Sequence, residues 1–161
     1  MSISTVDFAA VGRVSKFAEL KDIRLTDTSA KSDPGLIGPL ESEFSHNCSI
    51  VKNENGVLDV ACQYHFIGSA SQAKVIDIEI KYLITYSLNS PEPLPNDDLS
   101  QFANANGTLH SWPFVREFLN SLTSRMGFPP FKLGVMHFAP LPAPPKSADA
   151  NQPEATQAAK I

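Results

Sequence analysis

The residues that could do chemistry are few and scattered. His46 and Cys48 form H-x-C, and Cys62 and His65 form C-x-x-H. A zinc site would need about four such ligands converging on one point. Two carboxylate pairs, Glu41 with Glu43 and Asp77 with Glu79, have the i,i+2 spacing that shares a strand face. Paired carboxylates can serve acid–base catalysis, but a solvated charged sheet face has the same pattern and needs no chemistry. The chain has no phosphate-cradling glycine loop, dinucleotide fingerprint, nucleophile elbow or H-E-x-x-H motif. No catalytic residue, metal or cofactor is therefore assigned, and the chain is not read as an enzyme. The enzyme alternative, a small α+β hydrolase or isomerase, would require a deep pocket with converging polar groups.

The elements that hold these residues are mostly strands. In 57–67, Leu58, Val60, Cys62, Tyr64 and Phe66 alternate with polar residues, the signature of a half-buried strand. The segment 74–88 repeats the pattern with Ile76, Ile78, Ile80, Tyr82, Ile84 and Tyr86, while Asp77, Glu79 and Lys81 face the other way. A weaker strand covers 42–52, with Phe44, Cys48 and Ile50 in phase, and 13–26 reads as a strand whose phase slips near Leu20 to Asp22. Asn53-Glu54-Asn55-Gly56 signals a hairpin turn. Apolar residues sharing a face would set Phe44 opposite Phe66, Ile50 opposite Val60 and Lys52 opposite Leu58, leaving a loop over 54–56. The same register sets Cys48 opposite Cys62 and sends His65 away from Cys48, Cys62 and His46. Two buried thiols with two ordinary histidines fit this, and a cross-strand disulfide is geometrically conceivable.

Two helices are expected after the strands. One begins near Asn96 or Asp97, carries Leu99 and Phe102, and stops at Gly107. The second starts with Pro113 at its first helical position, bears Val115, Phe118, Leu119, Leu122 and Met126 as a stripe, and ends at Gly127. Phe128-Pro129-Pro130 forces an extended exit into an apolar segment, 131–138.

The 161 residues suit one domain with tails: a flexible segment over 1–10, a folded domain over 11–139, and a disordered Pro/Ala-rich tail over 140–161. With net charge −4 and 13 Lys+Arg, the chain lacks a basic footprint for nucleic acid. The N-terminus lacks the apolar core of a signal peptide, and no apolar run approaches the ~20 residues of a membrane span. Two cysteines exclude a disulfide-dense secreted scaffold. The expectation is a soluble cytoplasmic protein without membrane insertion.

The stretch 112–138, "WPFVREFLNSLTSRMGFPPFKLGVMHF", resembles the SecB family of export chaperones. Trp112, Pro113, Phe114, Arg116, Glu117, Ser124, Arg125, Phe128, Pro129, Leu133 and Phe138 carry the likeness. The preceding "FANANGTLHSWP" is similar to the SecB-like branch, some of whose members serve toxin–antitoxin systems. The resemblance implies an α+β fold with a four-stranded antiparallel sheet, helices on one face, and a homotetramer built as a dimer of dimers. It implies a holdase that needs no ATP, binds unfolded preproteins or an antitoxin client, and delivers preproteins to the translocase ATPase SecA. Asp22, Asp77 and Glu79 would form the acidic SecA-facing surface, although Asp77 replaces an apolar residue of the pattern and Thr26 an acidic one. An apolar client groove would draw on Trp112, Phe128, Phe131 and Leu133, which are equally suited to a core or an interface.

Overall fold

The computed structural model describes residues 3–33, 40–71 and 73–140. Four strands form one antiparallel sheet: β2 (Ala18–Ser32), β3 (Glu41–Glu54), β4 (Val57–Ala70) and β5 (Ala73–Leu88), in the order β2-β5-β4-β3. Helix α1 (Phe8–Ser15) precedes them and α2 (Asn96–Arg125) follows. Two short strands, β1 (Ile3–Val6) and β6 (His137–Pro140), pair in parallel. This is the α+β architecture expected, with a four-stranded antiparallel sheet. Its core lies between α2 and the inner face of the sheet, built on Leu58, Val60, Tyr64, Phe66, Ile78, Ile80, Ile84, Phe102, Val115 and Leu119.

Residues 1–10, expected to be flexible, include ordered elements within their described part. Asp7 caps α1 by accepting from the N–H groups of Ala9 and Ala10 at 2.9 and 3.1 Å. Val6, Ala10 and Val14 are buried. Residues 13–15, expected as strand, therefore belong to a helix, and β2 starts only at Ala18. The phase slip between Leu20 and Asp22 is present as a bulge, and a second lies between Leu25 and Asp27. The tail beyond Pro140 lies outside the described residues.

The β3–β4 register agrees with the sequence reading for most of its length. Phe44 opposes Phe66, Cys48 opposes Cys62 and Ile50 opposes Val60. Nearer the turn it differs, because Lys52 opposes Asp59 and not Leu58. Asn55 and Gly56 both have positive φ, 53° and 72°, which makes a tight two-residue turn. A bulge between Ile50 and Lys52 absorbs the one-residue offset, leaving Val51 exposed.

The two expected helices are a single 30-residue helix, α2, about 45 Å long at 1.5 Å per residue. Gly107 does not stop it. A Cβ there would lie 2.9 Å from Cys62 Sγ, 3.1 Å from Val60 Cγ1 and 3.3 Å from Cys48 Sγ. The glycine thus serves close approach of helix to sheet. Pro113 sits inside the helix, not in its first turn. Its ring deprives the Leu109 carbonyl of an intrahelical partner, and Leu109 is exposed, where water can replace it. Pro95 stands at the cap position with no side-chain cap from Asn96 or Asp97. Gly127, at φ 85°, does end the helix as expected.

Candidate functional site

The apolar face of the sheet ends, beside β3, in a cluster of rings. Phe44 and His46 on β3, Tyr64 on β4 and Trp112 on α2 lie within 5.6–6.4 Å of one another, centroid to centroid. The strand residues meet because each is an inward position of its strand, and Trp112 arrives from above on the buried side of α2. Tyr64 donates its hydroxyl to Ser111 Oγ at 2.5 Å, and Ser111 in turn donates to the Gly107 carbonyl at 2.6 Å. Burial pushes the Tyr64 phenol up to about 12, so it remains a donor at neutral pH. Burial lowers His46, favouring the neutral ring among its aromatic neighbours.

After Gly127 the chain returns across this cluster as an extended strap. Phe131 N–H donates to Thr123 Oγ1 at 3.0 Å, Arg116 Nε–H to the Leu133 carbonyl at 3.0 Å, and Trp112 Nε1–H to the Gly134 carbonyl at 3.0 Å. Phe131 packs on Phe66 with ring centroids 4.3 Å apart. Between strap and sheet lies a groove of about 260 Å³ lined by Phe44, Trp112, Phe131, Leu133, Val135 and Met136, with Ser42 and Gly134. This is smaller than the ~300–1,000 Å³ of a typical small-molecule pocket.

Of the four apolar residues proposed from sequence, the groove brings together Trp112, Phe131 and Leu133. Phe128 packs against the core cluster and does not line the groove. Phe44, Val135 and Met136 were missed. Val135, 65% exposed, is the most accessible large apolar side chain there. The signal that could have found Phe44 is its shared face with Tyr64, opposite the apolar strap.

The acidic residues proposed as a partner surface lie on the outer face of the sheet. Asp22 is exposed and paired with Arg24 at 3.1 Å. Asp77 accepts from Lys74 Nζ at 2.9 Å and lies 2.7 Å from His65 Nε2; Lys74 and His65 hold its carboxyl below the ordinary range. Glu79 is exposed and opposes Ser29 and His65 across its two neighbouring strands. Asp27 pairs with Lys81 at 3.1 Å. This face is thus a mosaic of both signs. The remaining chemistry-bearing residues separate. His65 is on the outer face, and the Cys48 and Cys62 sulfurs are joined in a cross-strand disulfide beneath Gly107. Among the described residues no three His, Cys, Asp or Glu side chains gather as a metal site would require. A bidentate ion pair unforeseen from sequence, Arg13 to Asp98 at 2.6 and 2.7 Å, ties α1 to α2. The guanidinium holds the Asp98 carboxyl below its ordinary range.

No family model matches the chain. It is 26% identical over 162 residues to the SecB-like chaperone Rv1957 of Mycobacterium tuberculosis, an alignment covering 87% of this chain and 89% of the relative. The chain is similar to SecB-like chaperones. The protein-export protein SecB of Anaplasma phagocytophilum is 31% identical over 81 residues, covering 50% of this chain and 51% of that protein. A solved structure of Mycobacterium tuberculosis Rv1957, in complex with a ChAD peptide from the Rv1956 HigA1 antitoxin, superposes with a TM-score of 0.70. That match covers 79% of this chain and 96% of the other at 20% identity, and it establishes the SecB-like fold. Among the described residues no helix is long and apolar enough to cross a membrane.

Proposed function

We propose that this chain is a holdase, working without ATP or another cofactor, that binds extended segments of non-native polypeptides in the strap groove. The observation that carries this reading is the groove itself. Phe44, Trp112, Phe131, Leu133 and Met136 surround it, and Val135 stands open beside it. An aromatic and methionine lining adapts to many side chains without demanding one shape. The relative that matches along nearly the whole chain is a chaperone by name, which agrees with a binding role.

We favour a dedicated client of the antitoxin kind over general export. The SecB-like relative matches along nearly the whole chain, whereas the export relative matches along about half. Two of the three acids of the SecA-facing reading, Asp22 and Asp77, already have cationic partners on the sheet. Export through SecA is the second reading, supported by the exposed Glu79 and by the partial likeness to SecB. Phe128 then serves to anchor the strap and not to meet the client.

The working form is a homo-oligomer, with a tetramer expected. Leu20 and Leu25 on β2 and Phe114 on α2 are 40%, 41% and 47% exposed on the helix side of the sheet. Leu25 opposes Tyr82 in register, and Tyr82 lies 6.2 Å from Phe114, so they form one apolar strip suited to a second copy. A cytoplasmic location is consistent with this role. The test combines suppression of aggregation of a chemically unfolded protein with the mass of the free assembly. Suppression by a multimer is the expected result; a monomer without suppression overturns the reading.

A further inference from the structure

We propose that Cys48 and Cys62 form a reversible redox site that sets the opening of the client groove. The inference rests on the groove reading above and adds a regulator to it. The two residues face each other on β3 and β4, with their sulfurs joined. They lie where α2 closely approaches the sheet, since a Cβ on Gly107 would meet both sulfurs at 2.9 and 3.3 Å. Thr108 Oγ1 lies 3.4 Å from Cys48 Sγ. Nothing at this contact has room to spare.

Breaking the bond changes how much space the pair needs. Bonded sulfurs sit ~2.05 Å apart, whereas unbonded heavy atoms prefer ~3.5–4.0 Å. Two thiols under Gly107 must push α2 outward or leave their strand rotamers. The first element to feel this shift is the next helical turn, where Ser111 receives the Tyr64 hydroxyl and Trp112 holds the strap at Gly134. Reduction loosens that hold and opens the groove; the disulfide keeps it narrow.

The chemistry is a thiol–disulfide exchange with a dithiol reductant. A reductant thiolate attacks one sulfur, giving a mixed disulfide and releasing the other cysteine as a thiolate, which takes up a proton. The second reductant thiol then closes a disulfide within the reductant and releases the first cysteine as a thiol. Two electrons and two protons pass to the protein. Cys48 is 7% and Cys62 0% exposed, so exchange proceeds through the minor population in which α2 has lifted.

The full chain is equilibrated with dithiothreitol or with diamide, freed of reagent, and alkylated in denaturant to count thiols by mass. Trp112, the only tryptophan, reports groove opening by its emission. Binding of reduced, carboxymethylated α-lactalbumin reports client affinity. The expected counts are two and zero, with red-shifted emission and at least ~5-fold tighter binding in the reduced form. Cys62→Ala leaves a single sulfur under Gly107 and should keep the closed emission with or without dithiothreitol. Cys48→Ala serves the same purpose if that variant does not fold. Two thiols persisting after oxidant overturn the site. Counts of two and zero with unchanged emission and equal affinity overturn the switch, as does an emission response in the single-cysteine variant. Absence of client binding in both states overturns the groove reading, while the emission shift still decides the switch.

Discussion

The two faces of the same four strands are finished in opposite ways. On the inner face, apolar residues are covered by α2 except along β2, where Leu20 and Leu25 are exposed, and near β3, where the strap leaves a groove with Val135 exposed. On the outer face, Asp22, Asp27 and Asp77 each meet a cation of the same chain. An apolar surface left open retains a free energy that a partner can release by covering it. A charged surface already paired in water retains little, because exposed ion pairs contribute about 0–1 kcal/mol. The contrast favours the inner face as the place of the proposed client site.

The largest effect should come from the part of the inner face that is fully covered. Leu119 is completely buried, so Leu119→Ala should lower unfolding free energy by ~2–5 kcal/mol in a urea titration. A loss below about 1 kcal/mol would show that α2 does not seal the sheet there. The open part of the same face should behave differently. Val135→Ser should weaken client binding several-fold while moving stability by less than ~0.5 kcal/mol. Phe131→Ala should weaken binding further but also destabilise, since Phe131 packs on Phe66. Separating the two effects for Val135 and mixing them for Phe131 is the sharpest form of the comparison.

A pH series probes the inner face by another route. His46 and His110 are both lowered by burial from the ordinary 6.5. His110 Nδ1 lies 2.9 Å from the Tyr86 hydroxyl. A depressed folded-state value means that the unfolded chain binds protons first as pH falls. Stability should therefore be full above about 6.5 and decline below it, until the folded-state values are passed. Replacing both histidines with Gln should flatten thermal melts across that window, and an unaltered slope would assign the pH dependence elsewhere. The smallest effect belongs to the outer face. Asp22→Ala and Glu79→Ala should leave client binding unchanged and shift stability by no more than ~0.5 kcal/mol. SecA affinity lost in either variant would restore the export reading to first place.

The sheet was legible in the sequence because alternation is a strong signal where one face is dry. Leu58 to Phe66 and Ile76 to Tyr86 placed β4 and β5, and shared faces fixed Cys48 against Cys62. The bulge beside Val51 was hidden, since turn geometry at Asn55-Gly56 outweighed the apolar pairing near the loop. The sequence of helix α2 suggests two pieces for a different reason. Its buried residues around Gly107 include Ala103, Gly107, Thr108 and Ser111, small or polar residues that interrupt the apolar period. Gly107 has two physical uses, stopping a helix and letting it approach a sheet, and only the structure distinguishes them. The groove was half legible. Trp112, Phe131 and Leu133 stood out as surplus aromatic and apolar residues, but Phe44 and Val135 join them only through the path of the strap. The acids of the outer face were visible, and Arg24 and Lys74 stand beside Asp22 and Asp77 in the same strands, while Lys81 and His65 reach Asp27 and Asp77 only through strand pairing.

The central claim is that clients bind the groove on the inner face. Its most direct measurement is light scattering of an aggregating, chemically unfolded protein in the presence of the wild type, Val135→Ser and the Asp22→Ala/Glu79→Ala double variant at equal concentration. Suppression by the wild type and the double variant, with reduced suppression by Val135→Ser, is the expected result. Full suppression by Val135→Ser together with its loss in the double variant would contradict the account and move the client site to the outer face.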